Sequence, residues 1–229
     1  QSRIYMKLRH FRLVPQVLWK LVNVSLGGIG QFLIATASWV ILVRIVSTYG
    51  SAAVAGYTIA IRIIMFTILP AWGMSNAAAT LVGQNLGAGK PERAEASVWT
   101  MAKYNVIFMV GVALFFIIFA RPVIGIFTTD PDVMRYGVDC LRLISYGYGF
   151  FAIGMILVQA FNGAGDTMTP TKINFMCYWV CQIPMAFAFA RYAELGPQGV
   201  FWAVTIAESL IAIVGYAVFR KGSWKLKQV

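Results

Sequence analysis

Gly83-Gln-Asn-Leu-Gly-Ala-Gly-Lys-Pro-Glu-Arg-Ala-Glu95 is a short, charged, glycine-rich stretch set between two long apolar runs. Gly83, Gly87 and Gly89 accept backbone angles that other residues resist. Pro91 suits the first turn of a new helix, where its missing N–H costs nothing. A second stretch of the same character, Asn162-Gly-Ala-Gly-Asp-Thr-Met-Thr-Pro170, repeats the Gly-Ala-Gly core further along. A phosphate loop needs four residues between its first glycine and Gly-Lys, then Ser or Thr. Here five residues separate Gly83 from Gly89, and Lys90 is followed by Pro91, so a nucleotide loop is excluded. What remains is a tight connection between antiparallel helices, or a hinge or contact between moving bundles.

The runs on either side decide the fold class. Of 229 residues, 59% are hydrophobic and only 12% charged, with a mean hydropathy of +0.73. Soluble domains carry about 25% charged residues, so this is a membrane protein. Apolar runs fall near 21–46, 57–82, 99–120, 136–161, 172–193 and 198–219. Each exceeds the roughly 20 residues that a helix needs to cross a hydrocarbon core. The sequence therefore predicts an all-α polytopic membrane protein of six spans. It begins at Gln1 rather than Met, and is expected to be a piece of something longer.

Charge predicts the orientation. The formal net charge is +11, yet the basic residues flank apolar runs and form no stripe interleaved with exposed aromatics, so nucleic acid is not the expected partner. With residues 1–20, 83–103, 162–173 and the tail from Arg220 on one side, 13 of the 19 Lys and Arg residues share that side. The other six, Arg44, Arg62, Arg121, Arg135, Arg142 and Arg191, fall in the opposite half. Positive charge favours the cytoplasm. Both chain ends and both glycine turns are therefore expected inside the cell, with the protein in the plasma (inner) membrane. Trp19 with Lys20, Trp99 with Lys103, and Trp224 with Lys225 read as interfacial anchors.

The spans are rich in polar and small residues, which pack helices together or line a passage. Pro70 to Gly73 predicts a kink. Thr169-Pro170 and Asp130-Pro131 each read as an N-cap followed by proline at the first helical position. Arg121 to Thr129 reads as a short amphipathic segment along the outer interface. Cys140, Cys177 and Cys181 read as packing residues. With His10 the single histidine, no metal site is expected.

Residues 77–95, ending in the opening stretch, resemble the loop after the eighth helix of the multidrug and toxic compound extrusion (MATE) transporters. Phe161-Asn-Gly-Ala-Gly-Asp-Thr-Met-Thr-Pro170 resembles that family's turn after its tenth helix. The likeness spans the chain as the second of two six-helix lobes. It implies a twelve-helix exporter whose N-terminal lobe, a partner of this one, lies outside this chain. Such a protein would expel cationic, amphiphilic small molecules in exchange for protons or sodium ions, by rocking of one repeat against the other. No cofactor is implied beyond that coupling ion. In the NorM-like branch, acids on the seventh and tenth helices bind the cation. The matching regions, near Gln31–Ala35 and Phe150–Phe151, hold none, which is closer to the DinF-like branch and its aspartate on the first helix.

Candidate site residues follow from chemistry. Aromatic faces attract organic cations and amides orient them. For a substrate cavity the candidates are Gln31, Ser38, Asn76, Tyr146, Phe150, Gln159, Asn174 and Gln182; each could equally be a bond between helices. Glu208 sits near the middle of the last span, where a carboxylate is costly unless protonated, paired or wet. It reads either as the ion-coupling group or as a packing acid, with no partner evident in the sequence. Arg62 either snorkels outward or enters an ion pair. Arg135, Asp139 and Arg142 read as a surface charge cluster. A flippase for lipid-linked precursors is the alternative, but its cavity should hold several Lys or Arg residues. Hydrolysis or phosphoryl transfer needs converging His, Asp, Ser or metal ligands, and the spans lack such a set, so no catalytic residue is expected.

Overall fold

The computed structural model describes residues 14–226. Arg3, Lys7, Arg9, His10 and Arg12 lie outside the described residues, as do the side chains of Lys20 and Asn23. The chain runs back and forth as α1 (Pro15–Ser47), α2 (Ser51–Gly87), α3 (Pro91–Gly125), α4 (Pro131–Ser145) and α5 (Tyr148–Gly163). Then follow α6 (Met168–Asn174), a π-helical segment (Phe175–Gln182), α7 (Ile183–Arg191) and α8 (Pro197–Arg220). Five of the resulting helical runs are long and apolar enough to cross a membrane, and the α4–α5 pair, bent by 58°, makes a sixth. The expected fold class holds, with one span broken.

The two glycine turns are built alike. Gly89 (φ +68°) and Gly165 (φ +76°) take the left-handed conformation. Around them, Lys90 N donates to Asn85 O and Gly89 N to Leu86 O, while Asp166 N donates to Phe161 O and Gly165 N to Asn162 O. Each set satisfies helix-end carbonyls in the Schellman pattern. Asp130 caps α4 as expected, its Oδ1 accepting from Asp132 N at 2.9 Å and Val133 N at 3.0 Å. The other cap differs. Helix α6 begins at Met168, and Asp166 provides the bonds, accepting from Thr169 N at 3.2 Å and Thr169 Oγ1 at 2.8 Å. An aspartate reaches a backbone N–H three residues on, so Thr169 is the donor here rather than the cap.

Three departures from simple helices have identifiable causes. Between α4 and α5, Gly147 N turns to Ile144 O, which leaves Leu143 O without its usual donor; Thr205 Oγ1 from α8 donates to it at 2.8 Å. The π segment precedes Pro184, whose missing N–H would interrupt an α-helical ladder; instead Ile183 N bonds back to Tyr178 O. The marked break in a long helix falls in α3 at Phe119 (φ −103°, ψ 17°), three residues before Pro122. Helix α2 continues unbroken through Pro70 and Gly73. Residues 120–125 form a short helix beyond the kink at Phe119, largely within the stretch read as a separate segment, and the turn follows at Ile126.

Packing uses small residues at close approach, as helices in hydrocarbon require. Ala53, Ala60, Ala113, Ala120 and Ala152 are buried in one apolar cluster, and Ala78, Ala94 and Ala160 in another nearer the glycine turns. At the α2–α5 crossing, a Cβ on Gly163 would overlap the backbone of Ala79. Trp224, expected as an anchor, is instead fully buried, with its ring stacked on Phe219 at 4.6 Å. Lys225 beside it forms an ion pair with Glu95.

Helix α1 is held differently. Its apolar residues Leu26, Ile29, Phe32 and Leu33 are exposed, and polar side chains fasten it to its neighbours. Thr171 Oγ1 donates to Gly27 O (3.2 Å), Ser38 Oγ to Gln182 Oε1 (2.9 Å), Trp39 Nε1 to Tyr57 Oη (2.8 Å) and Trp179 Nε1 to Ile34 O (3.1 Å).

Candidate functional site

The polar residues of α1, α5, the π segment and α8 meet in a cavity of about 350 Å³. Glu208 stands halfway along α8, about 17 Å from its start at 1.5 Å per residue. A carboxylate at that depth needs a partner. Tyr178 of the π segment supplies one, its hydroxyl donating to Glu208 Oε1 at 3.0 Å. The widened π turn therefore places a donor opposite the one acid of α8. Glu208 also borders a smaller pocket of about 110 Å³ with Ile61, Ile64, Tyr148 and Thr205.

Toward the glycine turns the cavity wall is a run of amides. Gln159 Nε2 donates to Asn76 Oδ1 (2.8 Å) and Asn162 Nδ2 to Gln159 Oε1 (2.8 Å). Asn162 and Gln31 exchange hydrogen bonds at 3.1 and 3.3 Å, and Gln31 Nε2 also reaches Thr167 O at 3.1 Å. Four side chains from α1, α2 and α5 are thus joined in one chain. Phe32, Trp72 and Phe151 complete the cavity with aromatic surface. A flat apolar cation would find ring faces, amide dipoles and one carboxylate within a single space.

Of the sequence candidates, Gln31, Gln159, Asn174 and Glu208 line this cavity, and Asn76 is bonded to it through Gln159. Ser38 and Gln182 do not line it; they are buried and bonded to each other, as glue between α1 and the π segment. Tyr146 and Phe150 lie apart, on a shallow pocket with Val110, Leu114 and Ile153. Tyr146 stacks on Trp202 there, with ring centroids 6.2 Å apart. On α5, Phe151 faces the cavity and its neighbour Phe150 the other pocket. Glu208, read without a partner, has one in Tyr178. Asn162, read as part of a turn marker, is central to the amide chain. Arg62 is exposed and forms no ion pair among the described residues. Asp139 binds Gln198 Nε2 at 2.7 Å and forms no ion pair with Arg135 or Arg142.

A MatE family profile matches residues 29–188, more than half of the chain and including both glycine turns. The chain belongs to the MatE family. Among the relatives of this MatE chain, the "Probable multidrug resistance protein NorM" of Thermotoga maritima is 30% identical over 181 residues, covering 79% of this chain and 39% of that protein. A solved outward-facing multidrug resistance MATE family transporter of the MOP superfamily superposes with a TM-score of 0.89 at 25% identity. That match covers 99% of this chain and 51% of the other. An inward-facing structure of the same description gives 0.81 at 25% identity, over 97% and 52%. The MatE chain thus spans about half the length of the solved proteins it matches, as a single lobe.

Proposed function

We propose that this chain is one lobe of a secondary active antiporter that exports cationic or amphiphilic small molecules in exchange for protons or sodium ions. The observation that carries the reading is Glu208, held by Tyr178 at mid-depth in a cavity walled by amides and aromatic rings. One carboxylate can bind either a cationic substrate or the coupling ion, and competition between the two produces exchange. Inward- and outward-facing forms of a related transporter support alternating access as the way the cavity reaches both sides. In this scheme a second lobe faces the exposed side of α1 and α2. The protein lies in the plasma membrane with the turns at 88–90 and 164–167 on the cytoplasmic side. No arginine or lysine lines the cavity among the described residues, so nothing there favours a pyrophosphate-carrying lipid as cargo.

The test is efflux of a fluorescent organic cation from cells carrying the wild type or Glu208→Gln, at matched membrane abundance. Loss of efflux in the variant supports the reading; full activity overturns it. Repeating the assay under separate proton and sodium gradients identifies the coupling ion. Labelling of Lys90→Cys by a membrane-impermeant thiol reagent, in intact against opened cells, checks the orientation.

A further inference from the structure

Three arginines meet at the end of the bundle opposite the glycine turns. Arg121 near the end of α3, with Arg135 and Arg142 of α4, lines one pocket of about 360 Å³. Arg135 and Arg142 stand two turns apart on one face of α4, while Gly137, Cys140, Leu141 and Ile144 bury its other face. The pocket therefore gathers half of the six arginines that the sequence sets in this half of the protein.

These charges are not used inside the fold. None of the three forms an ion pair among the described residues. Asp139 is the one carboxylate lining the pocket, and its Oδ2 already accepts from Gln198. Arg142 is fixed by donating from Nε to Ile117 O at 3.1 Å, in the broken part of α3. Its terminal nitrogens have no acceptor among the described residues. Arg121 and Arg135 are exposed. Beside them the α3–α4 turn projects Ile126 and Phe127, 78% and 60% exposed. A cationic pocket flanked by outward apolar side chains matches an anion that carries an acyl chain.

We propose that this pocket binds a phosphate group, clasped by the guanidinium forks of Arg121 and Arg135 with Arg142 behind them, and that in the membrane the phosphate belongs to an anionic phospholipid headgroup. Guanidinium groups suit phosphate because two parallel N–H donors match two of its oxygens. The site is independent of the transport cavity, which lies at mid-depth around Glu208.

The experiment is thermal unfolding of the purified protein in neutral detergent. It is titrated in turn with phosphatidylglycerol, with a diacyl glycolipid that lacks phosphate, and with inorganic phosphate. Phosphatidylglycerol is expected to stabilise the wild type at concentrations about tenfold below those needed by Arg121→Gln/Arg135→Gln. The glycolipid is expected to act equally on both. If inorganic phosphate alone reproduces the stabilisation and the variant loses it, the site holds but its ligand is free phosphate. Equal response of wild type and variant to phosphatidylglycerol, or no response to either phosphate compound, overturns the proposal. Should the glutamine pair fail to fold, Arg121→Lys/Arg135→Lys keeps the charge without the fork, and unchanged phosphatidylglycerol affinity in that protein also overturns it.

Discussion

Tyr178 donates a 3.0 Å hydrogen bond to Glu208, joining the π segment to the middle of α8. The two residues are far apart in sequence and on different spans, so the bond exists only because the helices pack as they do. Tyr178→Phe removes the donor and leaves the ring. Loss of a buried hydrogen bond costs about 1–3 kcal/mol, so cation efflux is expected to fall by about tenfold or more. Measured with Glu208→Gln and the double variant, the losses should be strongly non-additive. Additive losses would show that the two residues act separately.

The amide chain has a weak point at Asn162, which bonds both Gln31 and Gln159. Asn162→Ala strands polar groups on α1 and α5, at about 1–3 kcal/mol. The unfolding temperature in detergent should drop by several degrees. A double change, Asn162→Leu with Gln31→Leu, removes both partners and should recover part of the loss. A double variant less stable than either single would count against the pairing.

Ser38 and Gln182 serve as a control for the cavity assignment. Ser38→Ala leaves the buried Gln182 Oε1 without its donor, and stability should fall by about 1–3 kcal/mol. The concentration of organic cation that half-saturates efflux should not change. A shift in that concentration with stability intact would return Ser38 to the cavity.

Gly163 meets the backbone of Ala79 where α5 crosses α2. Gly163→Val places branched carbons at the contact, and overpacking of this kind costs about 1–3 kcal/mol or more. Folded yield in the membrane should fall sharply, while Gly28→Ala, with open space around it, should behave as wild type. Equal yields of the two variants would remove the close approach as a determinant of the fold.

How much of this was legible in the sequence depends on whether a feature is local. The six apolar runs, the Asp130 cap and the paired Gly-Ala-Gly turns follow from neighbouring residues, and all appear in the structure. The break at 145–148 was hidden because its stabilising group, the Thr205 hydroxyl, comes from α8. Tyr146 and Phe150, chosen for their aromatic faces alone, lie on a different pocket. Gln31, Gln159 and Asn174 line the cavity because a polar side chain in a span has few places to go. For the same reason Ser38 and Gln182 looked identical to them: a polar residue in hydrocarbon announces that it has a partner, not which one. Of the arginine pocket only the α4 part, Arg135, Asp139 and Arg142, was legible as a cluster, since Arg121 belongs to a different helix.

Helix α1 is laced to the lobe by hydrogen bonds while much of its apolar surface already faces outward. Displacing such a helix in water would require creating fresh greasy surface, but in hydrocarbon that surface is at home either way. The barrier to shifting α1 is then a short count of donors and acceptors to be re-matched, one after another. A hydroxyl or amide on a substrate, or a water entering the cavity, can stand in for a released partner during the exchange. If the proposed exchange operates, the first helix is the part that cargo itself would loosen.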